Sequence, residues 1–199
     1  MKNVKNILIG ALCILLVLMA IPALHIGHIT LKSDGRAVSL TLMHIPVIIA
    51  ALFTNVYGAL ITGFVFGTAT FVNALSGSSG MMNQFLKNPL CSVLPCMIFS
   101  FCSYYIFSVL NKKIPYKPVS GIAAAFSASI LHSILVTGSM YIFMYRQTAE
   151  AMHGLNWLEL MKILFPQIIK ESLAAVLVAA SVYLFIFIYD IKFKKLEIR

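Results

Sequence analysis

The sequence predicts an all-α integral membrane protein, a six-helix bundle with a short extracellular hairpin between its first and second helices. Three observations carry this. Of 199 residues, 60% are hydrophobic and only 11% charged, against about 25% charged in a soluble domain. The apolar residues fall into six runs separated by short polar breaks. The basic residues sit at the ends of those runs, where a chain oriented in a membrane needs them. The formal net charge of +9 therefore reads as bilayer orientation, and nucleic acid is excluded as a partner. One membrane domain, residues 1–199, accounts for the whole length.

The first span, residues 6–24, follows Lys2 and Lys5. It resembles the basic and apolar regions of a secretory signal, but no small-x-small cleavage site follows, so it reads as a retained helix. Gly10 and Ala11 are its candidates for helix packing or partner docking, although Gly10, Ala11 and Cys13 lack the strict four-residue spacing of such a small-residue face. Residues 25–41 hold Asp34-Gly35, a type I′ turn signal, between short segments containing Ile29, Leu31, Val38 and Leu40; this predicts the hairpin.

The second span, 37–53, is short against the ~20 residues that cross a bilayer, so part of the hairpin must lie at membrane depth. Pro46 falls in the first turn of its continuous helix, where the missing N–H costs least. After the polar break Thr54–Gly58 comes the third span, 57–75, antiparallel to the second. Ala59, Gly63 and Gly67 recur every four residues on one of its faces. Helices in lipid associate through such close backbone approach, so this face predicts packing or partner docking.

A Gly/Ser-rich loop ending in Asn83, Gln84 and Asn88 leads to the fourth span, 89–110, with Pro89 at its start and Pro95 inside. The basic turn 111–118 precedes the fifth span, 119–145. Residues 146–165, with the lone Trp157, read as a segment lying partly along the membrane surface, where Trp is at home. Pro166 opens the sixth span, 166–189. Nine Lys and Arg residues (2, 5, 112, 113, 117, 192, 194, 195 and 199) fall on one side and five (32, 36, 87, 146 and 162) on the other. This bias predicts both termini in the cytoplasm of a multi-pass protein.

Polar residues at membrane depth are costly and mark function by default. Gln167, Lys170 and Glu171 share one face of the sixth span, with snorkelling of Lys170 as the plainer reading. Ser133, Thr137 and Tyr141 form a hydroxyl stripe on the fifth span beside His132. With Asn83, Asn88 and Trp157, these predict an outward-facing pocket of a few polar anchors among aromatic and Met side chains. Hydroxyl stripes serve more often as helix–helix glue, and a lone His132 reads first as a core histidine.

Cys13, Cys91, Cys96 and Cys102 lie in apolar runs with no C-x-x-C spacing, so neither a disulfide framework nor a zinc site is expected. His25 and His28 near His44 lack an accompanying carboxylate or thiolate, and no metal or cofactor is expected. No G-x-x-x-x-G-K-[ST], G-x-S-x-G or H-E-x-x-H motif is present, and no acid, base and nucleophile set. The protein reads as a non-enzyme, and any uphill transport must draw energy from a partner or an ion gradient.

Leu42-Met43-His44-Ile45-Pro46-Val47-Ile48-Ile49, followed by Tyr57-Gly58-Ala59 and Gly63-Phe64-Val65-Phe66-Gly67, resembles the substrate-binding membrane component (S component) of energy-coupling factor (ECF) vitamin transporters. Asn88-Pro89-Leu90 through Leu94-Pro95 and the small-residue start of span five, with its later Tyr141-Ile142-Phe143, extend the likeness over residues 25–145. The resemblance implies a six-helix bundle in a prokaryotic plasma membrane. It implies a site for a vitamin-like solute, with pantothenate-, cobalamin- and folate-like candidates, under a lid at Asp34 and Gly35. It also implies an ECF module as partner: a transmembrane coupling subunit and two ATPase subunits, which would explain the missing P-loop. Cys96 stands where members often carry Arg after the span-four proline, which removes an anchor for a ligand carboxylate or phosphate. The alternative is a stand-alone secondary transporter or membrane scaffold, although the two halves show no repeat of the kind many transporters carry.

Overall fold

In the computed structural model the described residues are 2–21, 28–33, 36–76, 83–151, 154 and 156–197. They form helices α1 (Lys2–Ala20), α2 (Ile45–Phe53), α3 (Val56–Leu75), α4 (Asn83–Leu86), α5 (Pro89–Lys113), α6 (Lys117–Phe143), α7 (Tyr145–Ala151) and α8 (Trp157–Glu197). An antiparallel pair, β1 (His28–Ser33) and β2 (Arg36–Thr41), lies between α1 and α2. Its register runs from His28 opposite Thr41 to Ser33 opposite Arg36. Asp34 and Gly35, expected to form the turn and the lid tip, lie outside the described residues.

Among the described residues, five helices are long and apolar enough to cross a membrane: Asn3–Ala20, Val56–Leu75, Pro89–Lys113, Lys117–Phe143 and Trp157–Ile188. The expected second span, 37–53, is not one helix. Its first residues belong to β2, and α2 has only 9 residues, roughly 14 Å against a hydrocarbon core of ~30 Å. A helix that short survives in a bilayer by being enclosed in protein, and eight of its nine residues are buried. The α2–α3 break is also shorter than the polar run suggests. Asn55 caps α3, its side chain accepting from the Gly58 N–H at 2.9 Å, so the helix starts at Val56.

The last helix starts nine residues before Pro166. Asn156 Oδ1 accepts from the Glu159 N–H at 2.9 Å while a Glu159 carboxylate oxygen accepts from the Asn156 N–H at 2.8 Å. This reciprocal capping box satisfies two donors at the helix start and outweighs the helix-breaking tendency of Pro166, which lies inside α8. The segment 157–165, expected along the membrane surface, is therefore the first part of the last spanning helix.

The glycine face of α3 packs on α5. A Cβ at Gly67 would lie 2.6 Å from Val93 Cα and 3.0 Å from Ser92 O, and one at Gly63 would meet Ser100 and the Cys96 carbonyl. Gly58 meets Ile9 of α1, and Ala59 is fully buried. These residues hold the bundle together. By contrast, a methyl group at Gly10 would find nothing within 4 Å, and Ala11 is exposed. The cross-contacts Gly63 to Ser100 (α3–α5), Asn111 to Ser120 (α5–α6) and Thr137 to Met161 (α6–α8) make successive long helices antiparallel. One end of the bundle thus carries the hairpin, α4 and the start of α8. The other carries the α2–α3 break and the lysines that close α5 and open α6.

Candidate functional site

The interior near the hairpin end is polar in a way the apolar helices around it are not. His44, directly before α2, is fully buried, and its Nε2 lies 3.0 Å from the Ser129 hydroxyl of α6. Its ring stacks on His132, centroids 5.1 Å apart and planes within 9°. Phe99 of α5 meets His132 edge-on at 5.0 Å, and Phe66 of α3 lies tilted at 5.5 Å. Side chains from α3, α5 and the start of α2 therefore converge on one imidazole of α6. Burying polar rings costs free energy unless they are hydrogen-bonded, and the Ser129 contact and ring stacking offset that cost.

His132 nonetheless keeps partial accessibility although Phe66, Phe99 and His44 are buried. Ser127 marks the exposed face of α6, and His132 lies about 140° around the helix from it at 3.6 residues per turn. Rings from α3, α5 and the start of α2 surround His132, and α6 also packs along α8.

Along the α6–α8 seam, contacts at both ends fix the register. Tyr183 packs on Gly121 at one end; at the other, Trp157 Nε1 donates to the Thr137 hydroxyl at 3.2 Å and Met161 Sδ lies 3.3 Å from the same oxygen. This antiparallel register sets Glu171 level with the turn from Ser129 to His132. Glu171 is buried, the one charged side chain so classed among the described residues, and accepts from Gln167 Nε2 at 3.1 Å. Strand β2 lies against α8 and α2 touches both α6 and α8, so the hairpin is rooted beside the same interior.

Of the residues expected to contact a ligand, His132, Gln167 and Glu171 thus form an inner group, and Thr137, Tyr141 and Trp157 a second group nearer the helix ends. In the second group Thr137 also donates to Ser133 O at 2.7 Å, and Tyr141 packs at the edge of a cluster of Phe85, Met140 and Leu160. Lys170 is separated from them. It is exposed on α8 while its neighbour Glu171 is buried, so the shared face inferred for Gln167, Lys170 and Glu171 splits. Asn88 is a helix cap, its side chain accepting from the Leu90 N–H at 3.0 Å, and that structural duty accounts for it. The Asn83 backbone opens α4, but its side chain lies outside what is described.

His44 and Ser129 join the site without having been expected from the sequence. The one signal for His44 is its position before an apolar helical run; as part of His-Ile-Pro it reads as a marker of family. Nothing local in the Ala/Ser-rich start of α6 distinguishes Ser129. Among the described residues no three His, Cys, Asp or Glu side chains are placed to hold a metal ion, and the four cysteines are free.

Two concavities lie elsewhere. An apolar groove of about 410 Å³ runs between α1 and α3, with Val17, Phe64 and Val72 in its walls. A smaller polar pocket of about 240 Å³ lies at the far end of the bundle between α2 and α5.

A family model described as "ECF transporter, substrate-specific component" matches residues 7–186. No curated protein matches the chain.

Proposed function

The chain belongs to the substrate-specific component family of ECF transporters, and from that membership we propose that it captures a vitamin or vitamin precursor outside the cell. The captured solute would pass to an ATP-driven module of one transmembrane coupling subunit and two ATPase subunits. In this reading the protein performs no chemistry and has both termini in the cytoplasm of a prokaryotic cell, as its lysine distribution favours.

What supports the proposal is the buried Glu171 with its Gln167 partner, level along the α6–α8 register with the half-buried His132, below a hairpin that abuts α8. A polar solute bound there would meet an imidazole, a carboxylate and an amide near the Phe66 and Phe99 rings. Such a mixture of a few polar groups in an apolar wall is what fixes a small ligand's orientation. The hairpin, for which the sequence predicts a turn at Asp34 and Gly35, is assigned as the lid. Pantothenate-, cobalamin- and folate-like compounds are the first solutes to screen.

The test is purification of the full chain from cells expressing a complete ECF module, followed by mass spectrometry of bound small molecules. The expected result is a stable complex with an ATPase pair and a stoichiometric co-purified solute. A protein that stays free of the module and transports on its own in liposomes overturns the proposal in favour of a secondary transporter.

A further inference from the structure

We propose that the polar pocket between α2 and α5, far from the hairpin, is a binding site for a phosphate group. It measures about 240 Å³ and is lined by Thr54, Tyr104, Ser108, Asn111 and Lys112 among others. In a bundle whose outer surface is almost wholly apolar, a concavity walled by hydroxyls, an amide and an ammonium needs a polar occupant. Of these five residues all but Lys112 are half-buried, and Lys112 is exposed at the mouth.

The donors are arranged for an anion. The Ser120 hydroxyl lies 3.3 Å from Asn111 Oδ1 and 3.0 Å from Lys117 O, which sets the Asn111 amide beside the start of α6. Thr54 gives its proton to Ala50 O at 2.6 Å and so offers an anion no donor. Among the described residues the Tyr104 and Ser108 hydroxyls make no hydrogen bond and Lys112 no ion pair, which leaves these groups available to an anion's oxygens.

Electrostatics decides the sign. The carboxyl ends of α2 and α5 face this region and carry partial negative charge, which alone would repel an anion. The start of α6, joined to Asn111 through Ser120, supplies a compensating positive end, and Lys112 and Lys113 add two full charges. Because the helix ends oppose the ligand, Lys112 is decisive. The charge bias sets this end of the bundle in the cytoplasmic leaflet, where anionic headgroups collect around basic residues. A phospholipid phosphodiester and a free phosphate present the same oxygens, and the experiment separates them.

The full-length protein in detergent is incubated with phosphatidylglycerol, with phosphatidylcholine and, separately, with inorganic phosphate. Native mass spectrometry counts bound lipid, and the melting midpoint reports phosphate. Phosphatidylglycerol retained at least fivefold over phosphatidylcholine, lost in Lys112→Ala and kept in Lys113→Ala, establishes the site with a lipid source. A midpoint raised by inorganic phosphate in the wild type but not in Lys112→Ala, without lipid preference, establishes it with a soluble source. Equal losses in Lys112→Ala and Lys113→Ala, or no preference and no shift, overturn the proposal. Should Lys112→Ala fail to fold, Ser108→Leu fills the pocket while leaving every charge, and retention of lipid in that variant overturns the proposal as well.

Discussion

The α3–α5 seam and the α6–α8 seam are both antiparallel helix contacts of similar length, yet they are built from opposite materials. At the first, Gly63 and Gly67 bring α3 against the backbone of Ser92, Val93 and Cys96, with no room for a methyl group. At the second, Trp157 and Met161 reach Thr137 and Tyr183 packs on Gly121, contacts made by side chains, and Trp157, Met161 and Gln167 stay half-buried. Backbone contact in lipid gives dispersion packing with little freedom to rearrange. Side-chain contact leaves surface that a solute can cover. The difference separates a scaffold from a candidate site within one bundle.

The largest effect should come from attacking the close seam. Gly67→Val places branched carbons where Val93 Cα is already 2.6 Å from a single methyl position, and overpacking of this kind costs about 3 kcal/mol or more. We expect the variant to aggregate or to lose its melting transition in detergent. Gly10→Val, on a helix face with nothing within 4 Å, should keep the wild-type midpoint. Equal melting of the two variants would show that α3 and α5 can separate without penalty, and the contrast between the seams would fail.

The second effect concerns the solute. Glu171→Gln keeps the shape and an oxygen for the Gln167 amide but removes the buried charge. Affinity for the co-purified solute, measured by calorimetry, should fall about tenfold or more, equivalent to ~1.4 kcal/mol. The melting midpoint should hold or rise, because an interior carboxylate is costly. His132→Phe should cut affinity comparably while preserving ring packing with Phe99 and Phe66. Unchanged binding in both variants would reassign the α6–α8 seam to structure alone.

How much of this the sequence discloses follows from the range of the forces involved. The four antiparallel long helices and the glycine face of α3 are legible because hydropathy and four-residue spacing are local. The family resemblance resting on His44 through Gly67 is shown by the match over residues 7–186. The start of α8 differs from expectation because Pro166 is the more conspicuous signal, while Asn156 and Glu159, whose Asn-x-x-Glu spacing is itself a capping signal, decide the matter. The second span differs because α2 needs no span length once other helices enclose it. The His44–Ser129 contact joins residues 85 positions apart, and no periodicity within either segment encodes it. Lys170 and Glu171 look alike from the sequence because spacing places them on neighbouring helical positions. Which one points inward depends on where α6 lies.

A smaller effect should follow from Trp157→Phe, which keeps the ring surface and removes the donor to Thr137. A single interhelical hydrogen bond in a membrane is worth about 0.6 kcal/mol on average, so the midpoint should drop slightly and solute affinity by no more than about threefold. A loss as large as that of Glu171→Gln would extend the binding surface outward to the start of α8.

The smallest effect should come from Lys170→Ala. Lys170 lies roughly 20 Å along α8 from Trp157, exposed among Leu173 and Leu177, which are also exposed. An ammonium on an apolar outer face is costly there, and the long side chain reduces that cost only by reaching toward a headgroup layer. Its removal should leave affinity within about twofold, below about 0.5 kcal/mol, and should leave the midpoint equal or raised. Glu171→Gln in parallel fixes the scale, since the two positions differ by one residue and about 100° of helix. A tenfold loss on Lys170→Ala would mean that solute contacts both faces of α8, and the seam between α6 and α8 would no longer bound the site.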